Sequence, residues 1–256
     1  MQNAFSVIWS FRNRINELKR SILTADTTCN KSIEFHLVDA ASKEETIKEL
    51  RALCNSIEER KIRICESSYR SSLSEAWNLG MMTTDCRYVI FASSDVVFIR
   101  PGWYDALRDA AMRGLQYVIM GSHSVFLFDK KAIPSMGWFD ENFVLGPHFD
   151  VDFMIRASEK GVPYENINND GYFTHVGIPG TYNERIKNPK DNYLPMNDFT
   201  NEYVFKEKWK TDWIGWKAAY DAGQDVPNPP THISQVTRLK PDIDPHPIYT
   251  KKYEIS

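Results

Sequence analysis

Apolar positions along the chain alternate between two spacings. Short β-branched and aromatic runs at Phe5-Ser-Val-Ile-Trp9, Ile33-Glu-Phe-His-Leu-Val38, Arg63-Ile-Cys65 and Tyr88-Val-Ile-Phe-Ala92 read as strands. Between them, Ile15, Leu18, Ile22 and Leu23 recur at helical spacing, as do Ile47, Leu50, Cys54 and Ile57, and then Leu73, Ala76, Trp77 and Gly80. Ser42 with Glu45 has the spacing of a capping box that would open the second of these helices. A further helix is predicted over 103–113, stopped by Gly114. Strands alternating with helices predict an α/β fold, with a parallel or mostly parallel sheet covered on both sides.

After residue 115 the rhythm changes. Strands are predicted over 117–120 and 124–128 with no room for a helix between them. An aromatic loop follows over 136–143, then a helix over 150–160 ended by Gly161. One more helix is predicted over 201–216. From Gln224 onward the prolines predict an extended tail.

The run from Tyr88 ends in Ser93-Ser94-Asp95 before apolar character resumes at Val96. An unpaired carboxylate is costly to bury, so Asp95 is expected at the strand's end, facing a cleft or an ion. In open α/β sheets that edge binds ligands. A simple turn acid fits the same residues.

Composition narrows the class. With 42% hydrophobic and 25% charged residues the chain is ordinary for a water-soluble globular protein. A net charge of −3 gives no global basic field for nucleic acid, which leaves only a local patch for such a partner. No apolar run approaches the roughly 18 residues of a membrane span, and the N-terminus carries no signal-peptide pattern. The four cysteines show neither close pairs nor zinc spacing, which points to reduced thiols and a cytoplasmic setting.

Several segments, in order, resemble glycosyltransferases of the GT-A fold, family 2. Ser6-Val-Ile-Trp-Ser-Phe-Arg-Asn-Arg14 resembles the family's opening strand and turn, and Val38-Asp39 with Ser42 its second-strand acid motif. Ala76-Trp-Asn-Leu-Gly80 resembles the Ala-Arg-Asn-x-Gly helix. Ser93-Ser-Asp95 stands where the family has Asp-x-Asp, with Ser93 in place of the first acid. Gly137-Trp-Phe-Asp-Glu-Asn-Phe143 resembles the Gly-Gly-Phe-Asp-Glu-x-Phe loop. Phe149-Asp-Val-Asp-Phe-Met-Ile-Arg156 resembles Glu-Asp-x-Asp-Leu-x-x-Arg, with Phe149 in place of the Glu. Thr174-His175 and the Lys208-Trp209 helix resemble later elements.

The resemblance implies a GT-A domain over 1–215, with a nucleotide-sugar part at 1–115 and an acceptor part at 116–215, followed by a Pro-rich extension at 216–256. It implies transfer from a nucleoside diphosphate sugar to a glycan or other hydroxyl acceptor, with inversion and with a divalent metal, Mn2+ or Mg2+. Asp95 and His175 are the implied metal ligands, since carboxylate oxygen suits hard cations and imidazole favours Mn2+. Ser10, Arg12, Arg14, Asp39, Asn78 and Ser94 join Asp95 on the donor side. Asp150 is the implied base for the acceptor hydroxyl, with Asp152, Trp138 and Phe139 around the acceptor. Each has a plainer alternative: a solvated arginine, a strand-end acid at Asp39, a surface histidine, a helix cap at Asp150, core packing for the aromatics. Two other functions stay open at this stage, a transferase acting on modified bases of viral DNA and a non-catalytic sugar-binding module.

Overall fold

The computed structural model of the protein describes residues 5–176 apart from 30, 58–59, 68–70, 142 and 144–148, together with 205, 208 and 253–255. Three strand–helix units come first: β1 (Phe5–Phe11) with α1 (Ile15–Thr28), β2 (Glu34–Asp39) with α2 (Glu44–Ser56), and β3 (Lys61–Ser67) with α3 (Leu73–Thr83). Then follow β4 (Tyr88–Ser93), β5 (Val96–Phe98), α4 (Trp103–Met112), β6 (Tyr117–Met120) and β7 (Ser122–Asp129). Next are the short α5 (Ile133–Met136), α6 (Phe149–Glu159), β8 (Tyr164–Ile167), β9 (Phe173–His175) and β10 (Tyr253–Ile255).

The main sheet has the order β10-β3-β2-β1-β4-β7-β6-β8. β3, β2, β1 and β4 are parallel neighbours. β7 runs antiparallel to both β4 and β6, and β10 antiparallel to β3. Strand alternation splits the core in two. Val7, Trp9, Ile90, Val118 and Leu127 face α1, α2 and α4. Ile8, Phe91, Ile119, Phe126 and Phe128 face α3, α5 and α6. Both faces are covered, which is why β4 reads as a nearly continuous apolar run, while β2 is buried throughout although Glu34, His36 and Asp39 are polar.

The predicted capping box at Ser42 and Glu45 does not form. α2 is capped at Lys43 with no side-chain bond, and Ser42 Oγ instead accepts from the Asn13 N–H at 2.8 Å. Asn13 lies in the next loop along the edge, and tying the two loops together uses the Ser42 hydroxyl. Among the described residues a capping box forms instead at Ser72 with Glu75, at the start of α3. β8 and β9 were not expected, because their short polar sequences carry no strand period and pair only with distant partners. The helix predicted over 201–216 lies outside the described residues except for Phe205 and Lys208, which are helical. Of the tail, β10 alone is described.

Gly80 is where α3 approaches the sheet. A Cβ there would meet the Ile8 side chain at 2.7 and 2.8 Å. Gly80→Ala is therefore expected to destabilise the protein by about 1–3 kcal/mol through overpacking, read as a lower urea midpoint at unchanged slope.

Candidate active site

The C-terminal ends of the parallel strands place three loops on one edge of the sheet. Ser10 is in register with Ser93, and Phe11 with Asp39. Arg12 and Asp95 thus leave neighbouring strands at the same level, each two residues past that serine pair. Asn13 and Ala41 take left-handed conformations, φ +59° and +60°. Asn13 Oδ1 accepts from the Lys43 N–H at 2.8 Å, which locks the first loop to the second. Asp39 is buried, and both its carboxylate oxygens accept from the Ser42 N–H at 3.0 Å. Burial pushes its carboxyl above the ordinary value, against the pull of the Ser42 bonds. Arg12 has its Nε buried with no hydrogen-bond partner among the described residues. A buried cationic N–H without a partner is costly, and this orphan fits an anionic ligand such as a diphosphate. Ser10, Arg14 and Ser94 are half-buried around it, Arg14 as the residue that opens α1.

Asp95 sits in the turn between β4 and β5. β5 pairs with β9 so that Val96 faces His175, and the Val176 N–H donates to the Asp95 carbonyl at 3.0 Å. This ribbon brings His175 Nε2 to 2.9 Å from Asp95 Oδ1 across 80 positions of sequence. A small concavity lined by Glu17, Arg20, Asp95, Val97 and Val176 adjoins the pair. The two side chains meet at ordinary hydrogen-bond distance, and their oxygen and nitrogen are donor types that a divalent cation accepts. The described residues contain no cluster of three or more protein metal ligands.

Asp150 stands in the first turn of α6, about a quarter exposed. Its Oδ1 accepts from the Val151 N–H at 2.9 Å, and its Oδ2 lies 3.5 Å from Nδ1 of His123. His123 in turn contacts the Tyr117 hydroxyl through Nε2. Neither residue was read from the sequence as part of a site, since a histidine at the start of a strand and a core tyrosine carry no motif.

The sequence profile described as Glycosyl transferase family 2 matches residues 6–157, more than half of the chain. The chain belongs to glycosyltransferase family 2. No curated protein matches it. Its fold is similar to that of the mannosyltransferase PcManGT from Pyrobaculum calidifontis, solved with GDP-Man and Mn2+, at TM-score 0.58 and 15% identity over 88% of this chain and 77% of that one. It is similar also to residues 1–349 of S. aureus TarS, at TM-score 0.58 and 13% identity over 89% and 81% of the two chains. The form of that fragment with UDP-GlcNAc matches at TM-score 0.56 and 12% identity over 83% and 74%. The chain spans 45% of a longer TarS structure. The GT-A architecture is thus shared while the sequences have diverged.

Within this family 2 domain, three residues expected at the substrate are turned inward. Phe139 is 1% exposed and stacks on Phe153 at 4.3 Å between ring centroids, so its ring is core and not a sugar platform. Asp152 is fully buried. It accepts from Arg156 Nε and Nη2 at 3.0 and 2.8 Å and lies 2.7 Å from Lys208 Nζ. Burial alone would raise its carboxyl, but Arg156 and Lys208 outweigh that and hold it below the ordinary range. Asn78 is buried and clamps the 137–143 loop. Its Nδ2 donates to the Phe139 carbonyl and to Glu141 Oε1, each at 2.9 Å, and its Oδ1 accepts from the Phe139 N–H at 3.0 Å. Trp138 is half-buried and keeps an open side.

Two outcomes test this arrangement. Lys208→Met leaves Asp140 and Asp152 without their shared cation and is expected to cost about 3–5 kcal/mol in urea unfolding. For Asp39, a folded carboxyl raised above 3.8 means that the unfolded chain releases its proton first, so stability is lost as pH rises through the folded value. Asp39→Asn removes that loss. It should melt higher than wild type at pH 7, with the gap closing as pH falls toward 3.8.

Proposed function

We propose that the protein moves a sugar from a nucleoside diphosphate sugar to an acceptor hydroxyl with inversion, assisted by a divalent cation. The Asp95–His175 pair carries this reading, because it offers oxygen and nitrogen donors on the same sheet edge from which Arg12, with its unpartnered Nε, leaves β1. In the proposed site, Arg12 and Arg14 meet the diphosphate oxygens with paired donors. Ser10 and Ser94 lie beside them, and Asp39 accepts from a base N–H. Asn78 supports the loop that presents Trp138 to the acceptor. Asp95 and His175 would hold the divalent cation, which would supply Lewis-acid neutralisation of the diphosphate charge. Mn2+ is the preferred ion, because an imidazole stands in the donor set.

Asp150 takes the proton of the acceptor hydroxyl as its oxygen attacks the anomeric carbon. The new C–O bond forms on the face opposite the leaving nucleoside diphosphate, which takes the electrons of the broken bond, and inversion follows. The GDP-Man and UDP-GlcNAc found with the structural neighbours define the donor class to try first.

Thermal shift with UDP, GDP, CDP and dTDP, each with and without Mn2+, should show stabilisation by one base that grows with the cation. Stabilisation by none of the four defeats the proposal. Asp150→Asn should keep that nucleotide shift while lowering turnover by about 10²–10⁴-fold, whereas Asp95→Asn should lose the Mn2+-dependent part of the shift.

A further inference from the structure

β7 does not deliver His123 where strand alternation would put it. Val125 and Leu127 face one core layer, Phe126 and Phe128 the other. Counting back by twos, residue 123 belongs with Val125 and Leu127. Its ring nevertheless lies 6.0 Å from the Tyr117 ring and 5.7 Å from that of Phe126, on the opposite face beside α6. The register of β6 and β7 gives the reason. Ile119 faces Phe126 and the next residue, Met120, faces Ser122, so residues 123–125 have no partner on β6. Gly121 makes the turn at φ +69°, and its N–H donates to the Ile167 carbonyl at 2.9 Å and to Asn166 Oδ1 at 3.1 Å, which pins the irregular hairpin to β8. Irregularities of this kind re-aim side chains beside active sites.

We propose that His123 is a positioning residue for Asp150, swung onto it by the β6–β7 irregularity and fixed in one tautomer by Tyr117. The inference rests on the reading of Asp150 as the base for the acceptor hydroxyl. An ionised carboxylate only accepts hydrogen bonds, so the nitrogen facing it, Nδ1, carries the ring proton. Nε2 then accepts from the Tyr117 hydroxyl, and Tyr117 keeps that proton because burial raises its phenol well above the ordinary value. Burial likewise lowers the His123 imidazole below 6.5, against the opposing pull of Asp150, so the ring is neutral at neutral pH. The groups that bear on this ring are Asp150 of α6 and Tyr117 of β6, with Arg156 of α6 and Tyr164 of β8 acting on Tyr117. Oδ1 of Asp150 accepts from the Val151 N–H, and the imidazole faces Oδ2 at 3.5 Å. The 3.5 Å contact is long, and contacts to catalytic groups shorten when substrate excludes water.

Nitrogen-15 NMR of histidine-labelled protein tests the contact without any substrate, with the His123 signals assigned by their loss in His123→Gln. The expected result is a neutral ring protonated at Nδ1 that titrates below 6.5, with a midpoint that falls further in Asp150→Asn. A ring protonated at Nε2, or a midpoint unmoved by Asp150→Asn, overturns the proposal. The functional arm is the pH profile of kcat for hydrolysis of UDP-GlcNAc and GDP-mannose with Mn2+. His123→Phe keeps a ring in place, and it should lower kcat about tenfold and move the acid limb to higher pH at unchanged KM. His123→Gln, which keeps an N–H donor, should recover much of the loss. If His123→Phe does not fold, Tyr117→Phe should shift the same limb in the same direction by less. An unmoved acid limb in a folded variant overturns the positioning role. Full turnover by Asp150→Asn overturns instead the reading of Asp150 as base, so the two failures are distinguishable.

Discussion

Four buried charges tie α6 to the aromatic loop before it and to the helical turn at Lys208. Lys208 Nζ lies 2.7 Å from both Asp140 Oδ2 and Asp152 Oδ1. Arg156 binds the other oxygen of Asp152 and donates to the carbonyls of Met136 and Trp138. Two anions and two cations, each at most 3% exposed, cancel in the interior. Burying them costs solvation, which is offset only because every partner is present. What the arrangement secures is position: it joins α6, the 137–143 loop and the helical turn at Lys208. Residues two apart on a helix point about 200° from one another. Anchoring Asp152 inward therefore sends Asp150 outward, so the candidate base is aimed by a charge it never touches.

The aromatic packing follows from that anchoring. Trp77 of α3 meets Phe91, Phe126, Phe139 and Phe149, with ring centroids 5.0–5.2 Å apart. Phe149 stands where the family has a glutamate, and here it closes this cluster. A carboxylate in that place would face the Trp77 and Phe139 rings, so phenylalanine packs there, while Asp150 beside it stays about a quarter exposed. The loop motif is architectural in the same way: Phe139 and Phe143 fill the core, Asp140 meets Lys208, and Glu141 meets Asn78.

The two chemical halves of the proposed site come from different kinds of structure. The donor side is built by strand ends in register, which bring Ser10, Asp39 and Ser93 to one edge, and by the β5–β9 ribbon that carries His175 to Asp95. The acceptor side is built by an irregular hairpin against a helix terminus, which brings His123 to Asp150.

The sequence by itself determined the α/β alternation, the mostly apolar run of β4 and the family, because short-range periodicity and ordered motifs are written locally. An acid beside a buried run has few places to go, which made Asp95 a candidate, while Asp150 became one through the family resemblance. The sequence misassigned Ser42, whose hydroxyl serves a neighbouring loop, and it turned Phe139 and Asp152 toward substrate when both are core. Only the tertiary structure decided those cases, because exposure depends on which elements pack against a residue and not on its neighbours in the chain. The same holds for His123 and Tyr117. Their contact with Asp150 arises from a register irregularity between two strands and from the packing of α6, and neither leaves a trace in the order of the residues.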